Sequence, residues 1–193
     1  MRRGKFVILF GPTGSGKSLL IEHAREHLPE AQFAASYTNR EKRAVQENQS
    51  YRYISTEAFQ AKIDQGEFLE WAQYGGGLYG TLKEEVEGSL ASGKIVIKEM
   101  EIQGIEQTLK ALPRDEVCLM YIDAGSWEEL SRRVRARAPI SEEELEKRRL
   151  RFEKEDVFKD HHADMVIENP EGKLEEAKEA FVAALLKMRE EIQ

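Results

Sequence analysis

A glycine-rich stretch near the start of the chain carries the most specific chemistry in the sequence. Residues 11–18, GPTGSGKS, fit the pattern G-x-x-x-x-G-K-[ST] at Gly11, Gly16, Lys17 and Ser18. Glycines let the backbone turn its N–H groups toward phosphate oxygens, and a following helix presents its positive end to the same anion. The lysine then reaches the β- and γ-phosphates, and the serine hydroxyl can ligate Mg²⁺. This stretch, called the phosphate loop below, therefore predicts a site for a nucleoside triphosphate.

The sequence on either side of the phosphate loop supplies the context that the motif requires. Residues 6–10, FVILF, are an apolar run typical of a buried strand, and a helical pattern covers residues 19–28 until Pro29 stops it. A chance glycine-rich turn would lack this context. The loop alone does not distinguish a kinase from a molecular switch or a motor, but a small kinase needs a second pocket for a phosphate acceptor.

Three further clusters suit such a second pocket. Residues 36–43, SYTNREKR, hold two arginines and several hydroxyls, and guanidinium groups can grip a monophosphate dianion bidentately. Residues 66–81 carry the Glu70 carboxylate and hydroxyl groups around a glycine-rich turn. In residues 94–104, KIVIKEMEIQG, Glu99 and Glu101 stand at the end of an apolar strand, where ligands bind in parallel α/β sheets.

Apolar strands alternate with helices along most of the chain, which predicts an α/β fold with a parallel sheet. Besides the first strand, strands are predicted at residues 95–99, 117–122 and 165–167, and a helix with one apolar face ends the sequence. Residues 36–91 are more polar and richer in turns. We expect them to form an insertion beside the main sheet.

Serine or threonine followed three residues later by glutamate predicts where a helix begins. The pattern occurs at Thr81, Ser126 and Ser141, and the three helices are predicted to end near residues 91, 137 and 160. Other helices are predicted at residues 56–65 and 105–112, and an extended segment at residues 32–37.

The overall composition excludes several classes of protein. The chain has 193 residues and a net charge of −7, from 29 Lys and Arg against 36 Asp and Glu, which argues against non-specific binding to nucleic acid. Its one cysteine, Cys118, lies in the apolar run VCLMYI and is interpreted as a small core residue rather than a nucleophile. No apolar run approaches the ~18 residues of a membrane span. These features predict a cytoplasmic protein with no membrane partner, and no obligate protein partner is evident.

An arginine-rich helix pattern at residues 127–137 allows two interpretations. Arg133 and Arg137 are one turn apart on one face and could close on a transferring phosphoryl group. Alternatively, this helix could present a solvated face paired with the glutamates at residues 142–144. The phosphate loop favours the lid for Arg133 and Arg137, whereas Arg132 and Arg135 are expected at the surface.

In their order and spacing, these motifs resemble the guanylate kinase family, and the resemblance covers nearly the whole chain. It runs through GPTGSGKS, S-x-T-x-R-x-x-R, GEFLEW, YGT, acid-x-acid-x-QG, RRVRAR and the late VIEN. It implies a P-loop NTPase core with a parallel five-stranded sheet flanked by helices. It also implies an inserted small α+β domain that binds the acceptor and a helical lid. The expected divisions are a core of residues 1–35, 92–125 and 156–193, an insertion of residues 36–91 and a lid of residues 126–155.

The resemblance also implies a reaction, ATP + GMP → ADP + GDP, assisted by Mg²⁺, with dGMP as a second acceptor. Residues expected to bind ATP are Gly11, Thr13, Gly14, Ser15, Gly16, Lys17, Ser18 and Leu19, with Ser18 on the metal. Residues expected to bind the acceptor phosphate are Ser36, Arg40, Arg43, Tyr51 and Tyr79. Residues expected to face the guanine are Glu70, Thr81 and Glu101, with Glu99 nearer the centre of phosphate transfer. Residues expected to act in catalysis are Lys17, Arg133, Arg137 and Arg148, with Arg149 as the neighbouring alternative to Arg148.

Two alternative functions stay open at this point. Both members of the acid pair are glutamate, where aspartate is usual in the family, so each carboxylate stands one methylene further from the strand. That change motivates a kinase acting on another nucleotide or on a sugar phosphate. The second alternative is a non-catalytic interaction module, a class that typically lacks the intact phosphate loop present here.

Overall fold

The computed structural model describes residues 2–42, 51–74 and 76–192, with the side chains of Tyr74 and Arg137 outside that description. The strands in chain order are β1 (Lys5–Phe10), β2 (Gln32–Phe33), β3 (Ser36–Thr38), β4 (Tyr51–Tyr53), β5 (Phe68–Tyr74), β6 (Gly77–Leu82), β7 (Ile95–Glu99), β8 (Val117–Asp123) and β9 (Met165–Glu168). The α-helices are α1 (Lys17–His27), α2 (Thr56–Asp64), α3 (Lys83–Ala91), α4 (Ile102–Ala111), α5 (Trp127–Arg137), α6 (Glu142–His162) and α7 (Leu174–Ile192).

The main sheet has five strands in the order β2-β7-β1-β8-β9, and every neighbouring pair is parallel. The predicted parallel sheet is therefore confirmed. In β1 the five residues after Lys5 are all buried, as expected of a strand covered on both faces. Leu9 of β1 pairs in register with Glu99 of β7, so the phosphate loop begins beside the carboxyl end of β7.

Helices cover both faces of the main sheet and form two separate cores. On one face, Leu20 of α1 and Phe181 of α7 pack with Val7 and Ile97. On the other face, apolar residues of α3 and α4 pack with alternate strand residues such as Val96. This division follows from the alternation of side chains along each strand. Neighbouring residues of one strand therefore face opposite cores.

A second sheet, in the order β4-β3-β6-β5, is built from the polar middle of the chain. Strands β5 and β6 form an antiparallel hairpin, β6 pairs antiparallel with β3, and β3 pairs parallel with β4. Phe59 of α2 stacks on Phe68 of β5 with ring centroids 4.5 Å apart. Residues 36–82 therefore supply a sheet of their own beside the main one, as expected of an insertion, whereas α3, which the sequence analysis also placed in the insertion, packs on the main sheet.

Helices α5 and α6 share a small core of their own, formed by Leu130, Val134 and Leu145 with Trp127 and Phe152 packed against it. Helix α5 begins with both halves of the predicted capping box at Ser126, and the Ser141 hydroxyl accepts a hydrogen bond from the Glu144 N–H at the start of α6. Helix α6 continues without a break past residue 155, where the sequence analysis ended the lid.

Two local predictions were wrong. The predicted extended segment at residues 32–37 is split between β2 and β3, which belong to different sheets. The predicted capping box at Thr81 does not form: Thr81 lies in β6, α3 begins at Lys83, and its N-cap is Leu82. The Thr81 hydroxyl instead donates a hydrogen bond to Glu70, because a buried carboxylate competes successfully for it.

Candidate active site

The phosphate loop joins β1 to α1 in a conformation that depends on glycine. Gly16, the N-cap of α1, has φ +99°, and a Cβ there would lie 2.4 Å from Nδ2 of Asn169. Both the backbone angle and the close approach exclude a larger residue. Ser15 is buried, whereas Thr13, Ser18 and Leu19 are exposed along the loop and first turn. The loop thus lies at the positive end of a helix, with the hydroxyls of Thr13 and Ser18 exposed.

Lys17 is held at the centre of the phosphate loop. Its side chain is 8% exposed, and its ammonium donates hydrogen bonds to the carbonyl oxygens of Gly11 at 2.5 Å and Pro12 at 3.0 Å. Oε1 of Glu99 lies 3.5 Å from the same ammonium. The Ser18 hydroxyl lies 3.4 Å from Oε2 of Glu99. The end of β7 therefore brings a carboxylate against both the lysine and the serine of the loop.

Glu70 and Thr81 form a buried polar pair across the β5–β6 hairpin. They are register partners, they are 7% and 0% exposed, and the Thr81 hydroxyl donates to Oε1 of Glu70. The other carboxylate oxygen, Oε2, approaches α4 at Gly104, where a Cβ would lie 2.9 Å from it. A buried carboxylate with spare acceptor capacity can accept two parallel N–H donors from a ligand.

A guanidinium and several phenols cluster beside that hairpin. The Arg40 guanidinium lies over the Tyr51 ring at 5.0 Å and the Tyr53 ring at 5.5 Å, and the Tyr51 and Tyr79 rings are 6.3 Å apart. Ser36 pairs in register with Tyr51 on the adjacent strand. Burial raises the pKa of the Tyr51 phenol, as does the nearby Glu99 carboxylate, while Arg40 opposes the rise. The Tyr51 phenol therefore keeps its proton at neutral pH and can donate it in a hydrogen bond to an anion.

Four of the five residues predicted to bind the acceptor phosphate are thus described. Ser36, Arg40, Tyr51 and Tyr79 lie on or beside neighbouring strands of the second sheet. Arg43 lies outside the described residues. Glu101, predicted to face the guanine, lines a cavity with Thr13 of the phosphate loop and with residues of α5 and α6.

The comparisons with known proteins agree with this geometry. The guanylate kinase family model matches residues 3–187. A guanylate kinase from Rubrobacter xylanophilus is 40% identical over 149 residues, covering 77% of each chain. One from a Nostoc species is 38% identical over 183 residues, covering 94% of this chain and 89% of the relative.

The chain belongs to the guanylate kinase family. Its fold is also similar to the crystal structure of guanylate kinase from Anaplasma phagocytophilum, with a TM-score of 0.69 and 22% identity over 100% of this chain and 88% of that one. A gluconokinase from Sinorhizobium meliloti shares the fold more distantly, with a TM-score of 0.53 and 15% identity over 100% of this chain and 97% of that one. The resemblance recognised in the sequence is confirmed.

Within this guanylate kinase fold, α5 and α6 direct only some of their arginines toward the phosphate loop. Arg133 donates to the backbone carbonyl of Asn169 at 2.9 Å. Arg148 lines the cavity that also contains Thr13. Arg149 is instead paired with glutamates of α6 at the surface. Arg148 also pairs with a glutamate of α6, Glu144, but it lies at the cavity beside the phosphate loop, whereas Arg149 does not line that cavity. The side chain of Arg137 lies outside the described part of the chain.

Arg132 and Arg135 also have the surface positions expected for them. Arg132 is 67% exposed and pairs with Glu171, and Arg135 is 48% exposed and pairs with Glu142. The interpretation of a solvated, paired helix face is thus right for these two arginines, whereas Arg133 bonds to the Asn169 carbonyl instead.

Sequence reasoning missed two buried polar residues that contact or face the phosphate loop. Asn169, 1% exposed, donates from Nδ2 to the carbonyl oxygen of Ser15 at 2.7 Å. Glu155 of α6 is 7% exposed, and its Oε2 has no hydrogen-bond partner among the described residues. Asn169 stands in the motif VIEN, which could have marked it. No local pattern distinguishes Glu155 from the many glutamates of α6.

Proposed function

We propose that this chain transfers the γ-phosphoryl group of ATP to GMP, giving ADP and GDP, and that it also accepts dGMP. The observation that carries the choice of acceptor is the buried Glu70 carboxylate with its Thr81 partner. Guanine offers N–H donors at N1 and N2, and a carboxylate accepts both. Adenine has no such donor pair, so it would leave the buried carboxylate unpaired, at a cost of about 1.5–3 kcal/mol per lost bond to a charged group.

In the proposed mechanism, segments next to the two sheets bind different substrates. The phosphate loop and α1 bind the triphosphate, and Lys17 places a positive charge beside it. The second sheet, with residues 36–91, binds the acceptor through Arg40, Tyr51 and Tyr79. Helices α5 and α6 act as the lid, with Arg133, Arg137 and Arg148 neutralising charge on the transferring group.

Magnesium fits the residues present. The Ser18 hydroxyl and the Glu99 carboxylate lie together beside Lys17, and oxygen donors of this kind are those that Mg²⁺ prefers. We propose that the Ser18 hydroxyl ligates the ion and that the Glu99 carboxylate lies close to it. When bound with ATP, the ion supplies neutralisation of charge on the phosphate oxygens. A cytoplasmic location, like the lack of an obligate protein partner, stays a prediction from the sequence.

The hypothesis of another acceptor is not favoured by the similar proteins: four relatives at 37–40% identity are each named guanylate kinase. The non-catalytic alternative conflicts with the intact phosphate loop and its buried lysine. No helix within residues 2–42, 51–74 and 76–192 is long and apolar enough to cross a membrane.

The decisive experiment is a coupled assay of ADP release with GMP, dGMP, AMP, CMP, UMP and a sugar phosphate. We expect turnover with GMP and dGMP. Turnover with the other acceptors but not with these two would overturn the proposal. Lys17→Ala should abolish turnover, whereas Lys110→Ala, which changes an exposed lysine of α4, should leave it unchanged.

A further inference from the structure

Lys98 is a lysine in the interior of the main sheet. It belongs to β7, it is 6% exposed, and it lies on the same side of the strand as Val96 and Met100. That side faces α3, α4 and the second sheet rather than α1. A charged ammonium is costly to bury unless it is paired, so its partners need to be identified.

The partners that the protein provides are too few for a buried ammonium. Nζ of Lys98 donates one hydrogen bond, to the Ser36 hydroxyl at 2.8 Å. Among the described residues no carboxylate oxygen lies within ion-pair distance of it. Glu70, Glu85 and Glu99 act on Lys98 only at longer range, and burial outweighs them, lowering the pKa of Lys98 to about 8. Since an ammonium has three donors, two are left for another acceptor.

The one hydrogen bond that Lys98 makes leads directly to the acceptor region. Ser36 is the register partner of Tyr51, and the Arg40 guanidinium lies 5.0 Å above the Tyr51 ring. Lys98 and Arg40 therefore both lie close to the paired residues Ser36 and Tyr51: Lys98 bonds to Ser36, and Arg40 lies over the Tyr51 ring. A small, doubly charged group entering beside Ser36 would meet positive charge from both residues.

We propose that Lys98 is a further acceptor-binding residue, whose ammonium contacts the phosphate monoester of the nucleoside monophosphate together with the Ser36 hydroxyl. This inference rests on the proposed function and adds a residue to its acceptor site. Lysine suits the position because its charge is compact and its three donors can reorient. The competing explanation is that Lys98 only balances the carboxylates around it; that role would not depend on the acceptor's phosphate.

The test distinguishes a contact with the acceptor's phosphate from a contact with its base. Lys98→Met removes the charge and keeps the length of the side chain, and Lys94→Met is a matched control at an exposed position just before the same strand. The dissociation constant of GMP is measured by calorimetry, and that of guanosine by competitive inhibition. We expect Lys98→Met to weaken GMP about 10- to 100-fold, to leave guanosine and the KM for ATP unchanged, and Lys94→Met to change nothing.

Two results would overturn the inference while leaving the proposed function standing. One is wild-type turnover of GMP together with unchanged GMP affinity in Lys98→Met. The other is an equal loss of GMP and guanosine affinity, which would assign Lys98 to the carboxylates of the base site. If the wild-type chain itself neither binds nor phosphorylates GMP, the proposed function fails, and the inference fails with it.

A second measurement does not depend on the folding of Lys98→Met. In the wild-type chain with ¹⁵N-labelled lysine, the Lys98 ammonium resonance is assigned by its loss in Lys98→Arg. We expect GMP, but not guanosine, to shift this resonance. Equal shifts with both ligands, or none with GMP, would contradict the contact. Lys98→Arg, which keeps the charge, should retain more GMP affinity than Lys98→Met.

Discussion

At the scale of single residues, the proposed function makes selectivity for guanine depend on the charge of one carboxylate. Glu70→Gln keeps the size of the side chain and its acceptor for Thr81, but it replaces a carboxylate oxygen with an N–H donor. That donor would face the N–H donors of guanine. We expect the KM for GMP to rise about 10- to 100-fold, with little change in the KM for ATP.

Steady-state kinetics with both substrates varied would measure this effect. Glu67→Gln is the control, because Glu67 lies just before the same strand and pairs with Lys62 instead. If the ratio of kcat/KM for GMP over AMP were the same in Glu70→Gln as in the wild type, Glu70 would not recognise the base.

Individual residues also show what the sequence could and could not predict. Cys118 was interpreted as a core residue, and it is buried, with burial raising the pKa of its thiol to about 12. Lys98 and Asn169 could not be predicted in the same way. Their partners, Ser36 and Ser15, lie 62 and 154 positions away in the chain, and periodicity contains no information about such contacts.

At the scale of elements, the close approach of α4 to the β5–β6 hairpin fixes Glu70. A Cβ at Gly104 would lie 2.8 Å from Cγ of Met100 and 2.9 Å from Oε2 of Glu70. Gly104→Ala should therefore displace Glu70 and raise the KM for GMP roughly tenfold or more. It should also lower the free energy of unfolding by about 1–3 kcal/mol.

Gly88 provides the matched control for Gly104. It lies inside α3, and a Cβ there would have no atom within 4 Å. Gly88→Ala should raise the free energy of unfolding by about 0.5–1 kcal/mol through helix propensity alone and leave the KM for GMP unchanged. Denaturant unfolding and GMP kinetics on both variants check the pair, and equal KM values for the two would contradict the role of α4.

Helix α6 carries a buried acid that makes stability depend on pH. Burial raises the pKa of Glu155 from 4.5 to about 7, with Lys17 opposing the rise and Glu101 adding to it. Between pH 4.5 and about pH 7, Glu155 is ionised in the unfolded chain and still protonated in the folded chain. The free energy of unfolding therefore falls as pH rises through this range. Above pH 7 its full cost is of order 3 kcal/mol.

Glu155→Gln removes that titration and should make the protein more stable than the wild type at pH 8. The difference in the free energy of unfolding should shrink toward zero at pH 5. Glu153→Gln, two residues earlier on the exposed side of α6, should follow the wild-type curve. Urea unfolding between pH 5 and 8 measures all three, and parallel curves for Glu155→Gln and the wild type would contradict the raised pKa.

The starts of helices show why local patterns succeed in one place and fail in another. Ser126 and Thr81 have the same S/T-x-x-E pattern, but only Ser126 caps a helix with both reciprocal bonds. The Thr81 hydroxyl instead donates a hydrogen bond to Glu70 across the hairpin. A capping prediction is therefore reliable where the hydroxyl stays near solvent, and it fails where a buried acceptor is closer.

At the scale of the whole molecule, the sequence predicted the parallel sheet and a separate polar segment in the middle of the chain. It did so because strand hydrophobicity and the order of the motifs are properties of the chain itself. The arrangement of the two sheets depends on contacts between distant segments, and it becomes visible only in the structure. Asn169 directly follows β9 of the main sheet and Asn39 directly follows β3 of the second sheet, and each bonds to the backbone of a distant segment of the chain.

Substitutions of these two asparagines test whether the two sheets bind the two substrates independently. Asn169 holds the phosphate loop through Ser15, whereas Asn39 accepts from the Leu78 N–H at 2.7 Å beside Arg40. Asn169→Ala leaves a buried carbonyl unpaired, so we expect a loss of about 1–3 kcal/mol in stability and a higher KM for ATP. Asn39→Ala should raise the KM for GMP instead.

Each variant is the control for the other, because both lose a side-chain amide that bonds to backbone. Two-substrate kinetics at saturating concentrations of the fixed substrate separate the two KM values. The double variant should show the product of the two single effects, since distant sites with no shared partner act independently. If Asn39→Ala raised the KM for ATP as much as that for GMP, the two sheets would act as one coupled site, and the proposed division between ATP-binding core and acceptor-binding insertion would be wrong.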